Sequence, residues 1–240
     1  MKETKFLGVK IDDKLCWQPH ILYLNSKLKC EIGKLNGIKN IIPPELYKNL
    51  YHTLFESHLS YGISAWGGVS KTLIDPIFIT QKKCIRIMFG DKEAYMDKFR
   101  TCARTRTHEN QILGKEFFKR EASKPLFNAN GLLTVHNLYK YHCLLELFKI
   151  IKLRSPMSLY EQFKRSKIRD DKLVSLSPSP LFVYQSSNLW IKCRKTDSET
   201  DFTVPIPSIK NKLKNSLFKT QSMFGPDWHD FNFDISHFVF

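Results

Sequence analysis

Ile21-Leu22-Tyr23-Leu24-Asn25-Ser26-Lys27-Leu28-Lys29-Cys30-Glu31-Ile32-Gly33-Lys34-Leu35 sets the architecture. Its residues Ile21, Leu24, Leu28, Ile32 and Leu35 follow at spacings of 3, 4, 4 and 3. That spacing keeps one side of a 3.6-residue helix apolar. Lys27, Lys29 and Lys34 fall off the stripe and are expected to face water or a phosphate. Asn36-Gly37 is predicted to end the helix.

Working outward, Pro43-Pro44-Glu45 opens a second helix, since proline is tolerated in a first turn and an acid complements the dipole there. Leu46, Tyr47, Leu50, Tyr51, Leu54 and Phe55 supply its apolar side, and the run 60–68 breaks the pattern. A third helix is predicted over 71–89, with Leu73, Ile77, Cys84 and Met88 near one side and Lys82, Lys83 and Arg86 near the other. Short connections make residues 16–90 a small helical bundle in which neighbours cover one another's stripes. Helices are also expected over 111–121, 136–152 (Leu138, Tyr141, Leu145, Phe148) and 207–219. Short strand-like runs are expected at 181–184 and 202–205. Residues 91–155 read as a helical connection and 156–240, rich in proline and serine, as a mixed region that is partly irregular. The fold class is mainly α.

On the N-terminal side, 4–11 (Thr-Lys-Phe-Leu-Gly-Val-Lys-Ile) reads as a single strand. Asp12-Asp13-Lys14 reads as its turn and Leu15-Cys16-Trp17 as the one short partner nearby. A strand so poorly partnered is expected to be the edge of something larger that precedes it.

With 42% hydrophobic and 25% charged residues among 240, wholesale disorder is excluded. Lys+Arg number 38 against 23 Asp+Glu, a net charge of +15, and such a balance points to a polyanionic partner. The excess is spread: 13 basic against 7 acidic in 1–90, 13 against 7 in 91–155, and 12 against 9 beyond. No run reaches the ~20 apolar residues of a membrane helix, and Met1-Lys2-Glu3-Thr4-Lys5 does not start a signal peptide. Six scattered cysteines (16, 30, 84, 102, 143, 193) read as free thiols in a reducing compartment. An intracellular protein, nuclear or cytoplasmic and not secreted, is expected.

Paired acids such as Asp12-Asp13 hold divalent metals in palm-type polymerases, where the metals stabilise attacking and leaving oxygens. Here Lys10 stands where an aromatic is expected two residues before, so the turn reading is favoured. His52 and His58, and likewise His136 and His142, are six apart, a poor match to the i, i+4 metal pair. No phosphate loop, nucleophile elbow or dinucleotide fingerprint is present in the sequence. The basic faces carry more information: Lys27, Lys29, Lys34, Lys82, Lys83 and Arg86 line one groove if helices one and three pack side by side, giving salt-sensitive binding to phosphates.

Several blocks, in order, resemble the part of a non-LTR retrotransposon reverse transcriptase beyond its catalytic motifs, of the jockey-like type. They are Lys5-Phe6-Leu7-Gly8-Val9-Lys10-Ile11-Asp12 with Leu15, Trp17 and His20; Leu59-Ser60-Tyr61-Gly62-Ile63-Ser64-Ala65-Trp66-Gly67; Gln81 to Met88; and Pro125-Leu126-Phe127 leading to Gly131-Leu132-Leu133-Thr134-Val135. The similarity covers most of 4–152. It implies a palm-edge strand remnant over 1–15, with Phe6, Leu7 and Gly8 like a primer grip. It implies a thumb over 16–90 that clamps a template–primer duplex, with Lys27, Lys34, Lys82, Lys83 and Arg86 on phosphates. The family's aromatic-x-Asp-Asp hairpin, first aspartate strand and endonuclease are missing from this sequence. The resemblance therefore implies a non-catalytic fragment of an RNA-directed DNA polymerase. It needs no cofactor of its own, magnesium belonging to an intact parent. The implied partner is an RNA–DNA hybrid or DNA duplex, with the missing polymerase half a further candidate and no membrane. Two rivals stand beside it: a host-recruited helical module that binds protein, and a polymerase using Asp12 and Asp13.

Overall fold

A computed structural model of the protein describes residues 3–90, 123–164 and 205–223. The described residues are mostly helical, with one two-stranded sheet. The expected helix 111–121 and the runs 181–184 and 202–204 lie outside them. The chain divides into two compact units: Met1–Tyr61 with Ser70–Thr134, and Gly62–Val69 with Val135–Phe240.

In the first unit the expected single strand over 4–11 is a hairpin. Strand β1 (Glu3–Phe6) turns at Leu7-Gly8 and pairs antiparallel with β2 (Val9–Asp12), Phe6 opposite Val9 and Glu3 opposite Asp12. Leu7 at φ 46° and Gly8 at φ 85° both adopt positive φ, as the tightest hairpin turns demand. Glycine does so freely and leucine does not. The tip is held from outside: the Tyr61 hydroxyl donates to the Leu7 carbonyl at 2.7 Å. Leu15-Cys16-Trp17 is not a strand either. The Asp12 carboxylate accepts the Cys16 and Trp17 amide N–H groups, each at 3.0 Å. Leu15 (φ 51°) and Trp17 (φ 63°) coil into left-handed positions around it, so those amides are not offered to a neighbouring strand.

Helix α1 (Gln18–Ile38) follows and buries all five stripe residues, Ile21, Leu24, Leu28, Ile32 and Leu35. Truncating Leu28 or Leu35, each wholly buried, costs about 2–5 kcal/mol. The helix passes through Asn36-Gly37 rather than ending there. Tertiary contacts hold its last turn: the Lys39 carbonyl accepts the Tyr47 hydroxyl at 2.7 Å, and Lys39 Nζ donates to the Ile87 carbonyl.

The second helical stretch opens at Pro44 as a 3₁₀ turn (Pro44–Leu46) and continues as α2 (Tyr47–Leu50), a π-helical turn (Tyr51–Glu56) and α3 (Ser57–Ser60). Its buried residues, Tyr51, Phe55 and Leu59, are spaced strictly by four. A 3.6-residue helix would rotate them out of line, and one wider turn keeps them on a single face. Helix α5 (Lys71–Phe89) matches its sequence expectation and packs on α1, where Thr80 Oγ1 donates to Asn25 Oδ1 at 2.6 Å. On its inner side the buried Gln81 donates Nε2 to the Tyr51 hydroxyl and to the Leu133 carbonyl, both at 2.9 Å. Helix α6 (Lys124–Asn130) closes this unit, setting Phe127 against Phe78.

The second unit is built on α7 (Val135–Leu153), buried on most of its circumference. Leu138, Leu145 and Phe148 of the expected stripe are buried, and Tyr141 is half-exposed. Short α4 (Ile63–Trp66) packs on it through buried Ile63 and Trp66. Gly67 is a close approach: a Cβ there would lie 2.6 Å from Tyr139 Cδ2 and 2.6 Å from the Ile63 carbonyl oxygen. Helix α8 (Met157–Lys164) and helix α9 (Ile206–Met223) complete the unit, the latter covering α7 with Ile209, Leu213 and Leu217.

Candidate nucleic-acid interface

Of the six cations expected to line one groove, exposed Lys29 and Lys83 stand beside the seam between the two helices and the other four stand away from it. Thr80 and Asn25 mark the seam between α5 and α1. From Asn25, at 100° per residue, Lys27 and Lys34 stand roughly 200° and 180° round α1. From Thr80, Lys82 and Arg86 stand roughly 200° and 240° round α5. The two sets lie on opposite outer flanks of the helix pair. Lys83 is exposed nearer the seam.

On the α5 flank, Lys82 Nζ sits 4.5 Å from the Phe78 ring centroid. Half-burial and the neighbouring Arg86 hold its pKa below the usual lysine range, with Asp75 opposing the drop. The cation is thus already committed to an aromatic face and has a carboxylate nearby. Arg86 Nε is buried without a hydrogen-bond acceptor.

The α1 flank carries a longer row of cations, and two of its lysines come from the hairpin. Turning at Leu7-Gly8 sets Lys5 opposite Lys10, and both lean on the Tyr23 ring, with Nζ atoms 5.5 and 5.7 Å from its centroid. Lys10 also pairs with Glu3 at 3.0 Å. Its backbone N–H points out of the ladder and donates to His20 Nδ1 at 3.4 Å. Tyr23, Lys27 and Lys34 recur along one line of α1, a run of about 16 Å at 1.5 Å per residue. Beneath that line the buried Glu31 binds Lys34 at 2.8 Å and faces His58 Nε2 at 3.8 Å. Lys34 nevertheless keeps 63% of its side chain exposed. Four lysines thus face two carboxylates, Glu3 and Glu31, along one strip. Beside it an open groove of about 520 Å³ is lined by Glu3, Lys10, Gln18, Pro19, Leu22, Tyr23 and Ser26.

Phe6, Leu7 and Gly8, the primer-grip-like residues, form the hairpin tip at the end of this strip, with Phe6 61% and Leu7 74% exposed. Asp12 is buried, and both its oxygens are engaged by backbone N–H groups. The Cys16 thiol and those amide bonds hold its carboxyl down to about 2, against the opposing pull of burial. It is a turn anchor, and Asp13 beside it is exposed. Among the described residues no group of three or more His, Cys, Asp or Glu could hold a metal ion. Cys16, Cys30, Cys84 and Cys143 are free thiols, and burial pushes Cys84 and Cys143 up to about 12. His52 is paired with Glu56 at 3.1 Å. No described helix is long and apolar enough to cross a membrane.

No family model, curated protein or solved structure matches this chain.

Sequence reading missed Lys5, Lys10, Tyr23, Glu31 and His58 as members of the strip. The isolated Gly8 inside an alternating run was the available signal, since such a glycine marks a break in a strand. Taking it as a turn brings Lys5 and Lys10 together at once. Nothing in the one-dimensional pattern aligns the hairpin with the Lys27–Lys34 line.

Proposed function

We propose that this chain is a basic helical module that grips a nucleic-acid duplex by its phosphate backbone, a non-catalytic fragment of a retroelement RNA-directed DNA polymerase. The observation that carries the binding is the Lys5–Lys10–Tyr23–Lys27–Lys34 strip, where four cations share one face with two carboxylates. The polymerase ancestry rests on the sequence resemblance. A run of spaced cations without base-reading side chains suits sequence-independent binding, steep in salt.

The test compares two charge-reversed variants of the full chain against an RNA–DNA hybrid over a salt series. Lys27→Glu with Lys34→Glu should flatten the log–log salt slope by about 1.8, at about 0.9 per lost phosphate contact. Lys82→Glu with Lys83→Glu and Arg86→Glu tests the other flank in the same way, and an unchanged slope there leaves the α1 strip as the interface. Equal slopes for wild type and the first variant defeat the strip as the interface. The rival, a protein-binding module, is favoured by exposed Phe6, Leu7 and Leu22 near the same strip, and it predicts no salt-dependent affinity for the hybrid.

A further inference from the structure

We propose that His58 is a proton-dependent phosphate ligand of the strip, adding a charge to it only on acidification. This rests on the nucleic-acid reading above and concerns the same surface. The imidazole is about one-third exposed, with Nε2 3.8 Å from Glu31 Oε1. Glu31 lies between Lys27 and Lys34 along α1, so His58 stands beside the line that joins the two lysines, within about 6 Å of helix rise from each. The charged groups facing it across this contact are Lys27, Glu31 and Lys34, all on α1. Its own helical stretch contributes Glu56, which is engaged by His52.

The setting decides the protonation state. Partial burial and the field of Lys27 hold the imidazole below the usual histidine range, Glu31 pulls the other way, and Lys34 adds to the depression. At neutral pH His58 is therefore an uncharged gap in the row. A phosphate lying across Lys27 and Lys34 reverses that field. It adds negative charge beside the ring, raises the pKa and draws a proton onto the imidazole. By linkage, the ligand that raises the pKa binds more tightly as the pH falls. Glu31 is shared with Lys34 at 2.8 Å and so offsets only part of the new charge.

The test is fluorescence anisotropy of a labelled RNA–DNA hybrid with the full chain, at about pH 5.5 and about pH 7.5, where an ordinary histidine changes charge, each over a salt series. Wild type should show a slope steeper by about 0.9 at the lower pH, hence roughly eightfold tighter binding at about 0.1 M salt. His58→Asn should lose that increment. His58→Lys should bind at the higher pH as tightly as wild type does at the lower, a gain that a misfolded variant cannot mimic. If His58→Asn keeps the full increment, another histidine carries it and the proposal fails. If wild type binds at both pH values with one slope, the proposal fails while the interface stands. If wild type binds the hybrid at neither pH, the interface itself fails and His58 with it.

Discussion

Replacing Gln81 by Met removes the polar centre of the first unit while keeping nearly the same volume. Gln81 is fully buried. Its Nε2 serves the Tyr51 hydroxyl and the Leu133 carbonyl, each at 2.9 Å. Methionine fills the space but donates to neither. An acceptor left buried without its donor costs about 1–3 kcal/mol, so two give about 2–6. The Tyr51 hydroxyl oxygen is a weaker acceptor than a carbonyl, which favours the lower half, about 2–4 kcal/mol. At a urea m-value of about 2 kcal/mol/M, that moves the unfolding midpoint down by about 1–2 M. Tyr51→Phe in the Gln81→Met background removes one of the two stranded groups. The double variant should therefore be about 1 kcal/mol more stable than the sum of the single effects implies. Urea titration of the four proteins by far-ultraviolet circular dichroism measures the cycle. If Gln81→Met unfolds within about 0.5 kcal/mol of wild type at an unchanged m-value, the two bonds do not hold the π-helical turn, α5 and the 131–134 segment together.

Gly67→Ala should destabilise by about 1–3 kcal/mol, because its Cβ meets backbone at Ile63 and the ring of Tyr139, both at 2.6 Å; a thermal melt within 1 °C of wild type would refute the close approach. Asp12→Asn tests the turn anchor through pH. The Asp12 pKa is depressed from 3.8 to about 2, so its stabilisation is full above the unfolded value and is lost as pH falls through that window. Wild type should lose stability between those limits, and the Asn variant should show a shallower loss, read by thermal melting at steps of pH. Parallel profiles for the two would remove Asp12 from that role.

Much of the helical framework was legible because burial repeats with the helix. The stripe of α1 and the span of α5 follow from periodicity alone, and a helix near 207–219 was expected where α9 stands. The N-terminal hairpin was not legible. Its turn puts a leucine at positive φ, a conformation that turn composition does not advertise, and Tyr61, 54 residues away in sequence, supplies the hydrogen bond that holds it. The continuation of α1 past Gly37 was hidden for the same reason, since its last turn is tied by Tyr47 and by Lys39 reaching Ile87. Glu31 and Gln81, polar residues that the sequence pattern did not single out, are buried, each beside a partner from another segment. The basic side chains were visible as a class. Their grouping depended on which way each helix is rotated, and that follows the buried apolar stripes, with Asn25 and Thr80 marking the seam, rather than any lysine.

Because residues 62–69 are stitched into the α7 unit while the chain on both sides of them builds the other, neither unit can be excised with a single cut. An expression fragment stopping at Gly90 would strand Ile63 and Trp66 without the helix that shelters them, and their greasy surface would invite clumping. Whoever wants the hairpin and its lysines in isolation must replace that eight-residue detour with a polar linker as well as ending the chain at Thr134.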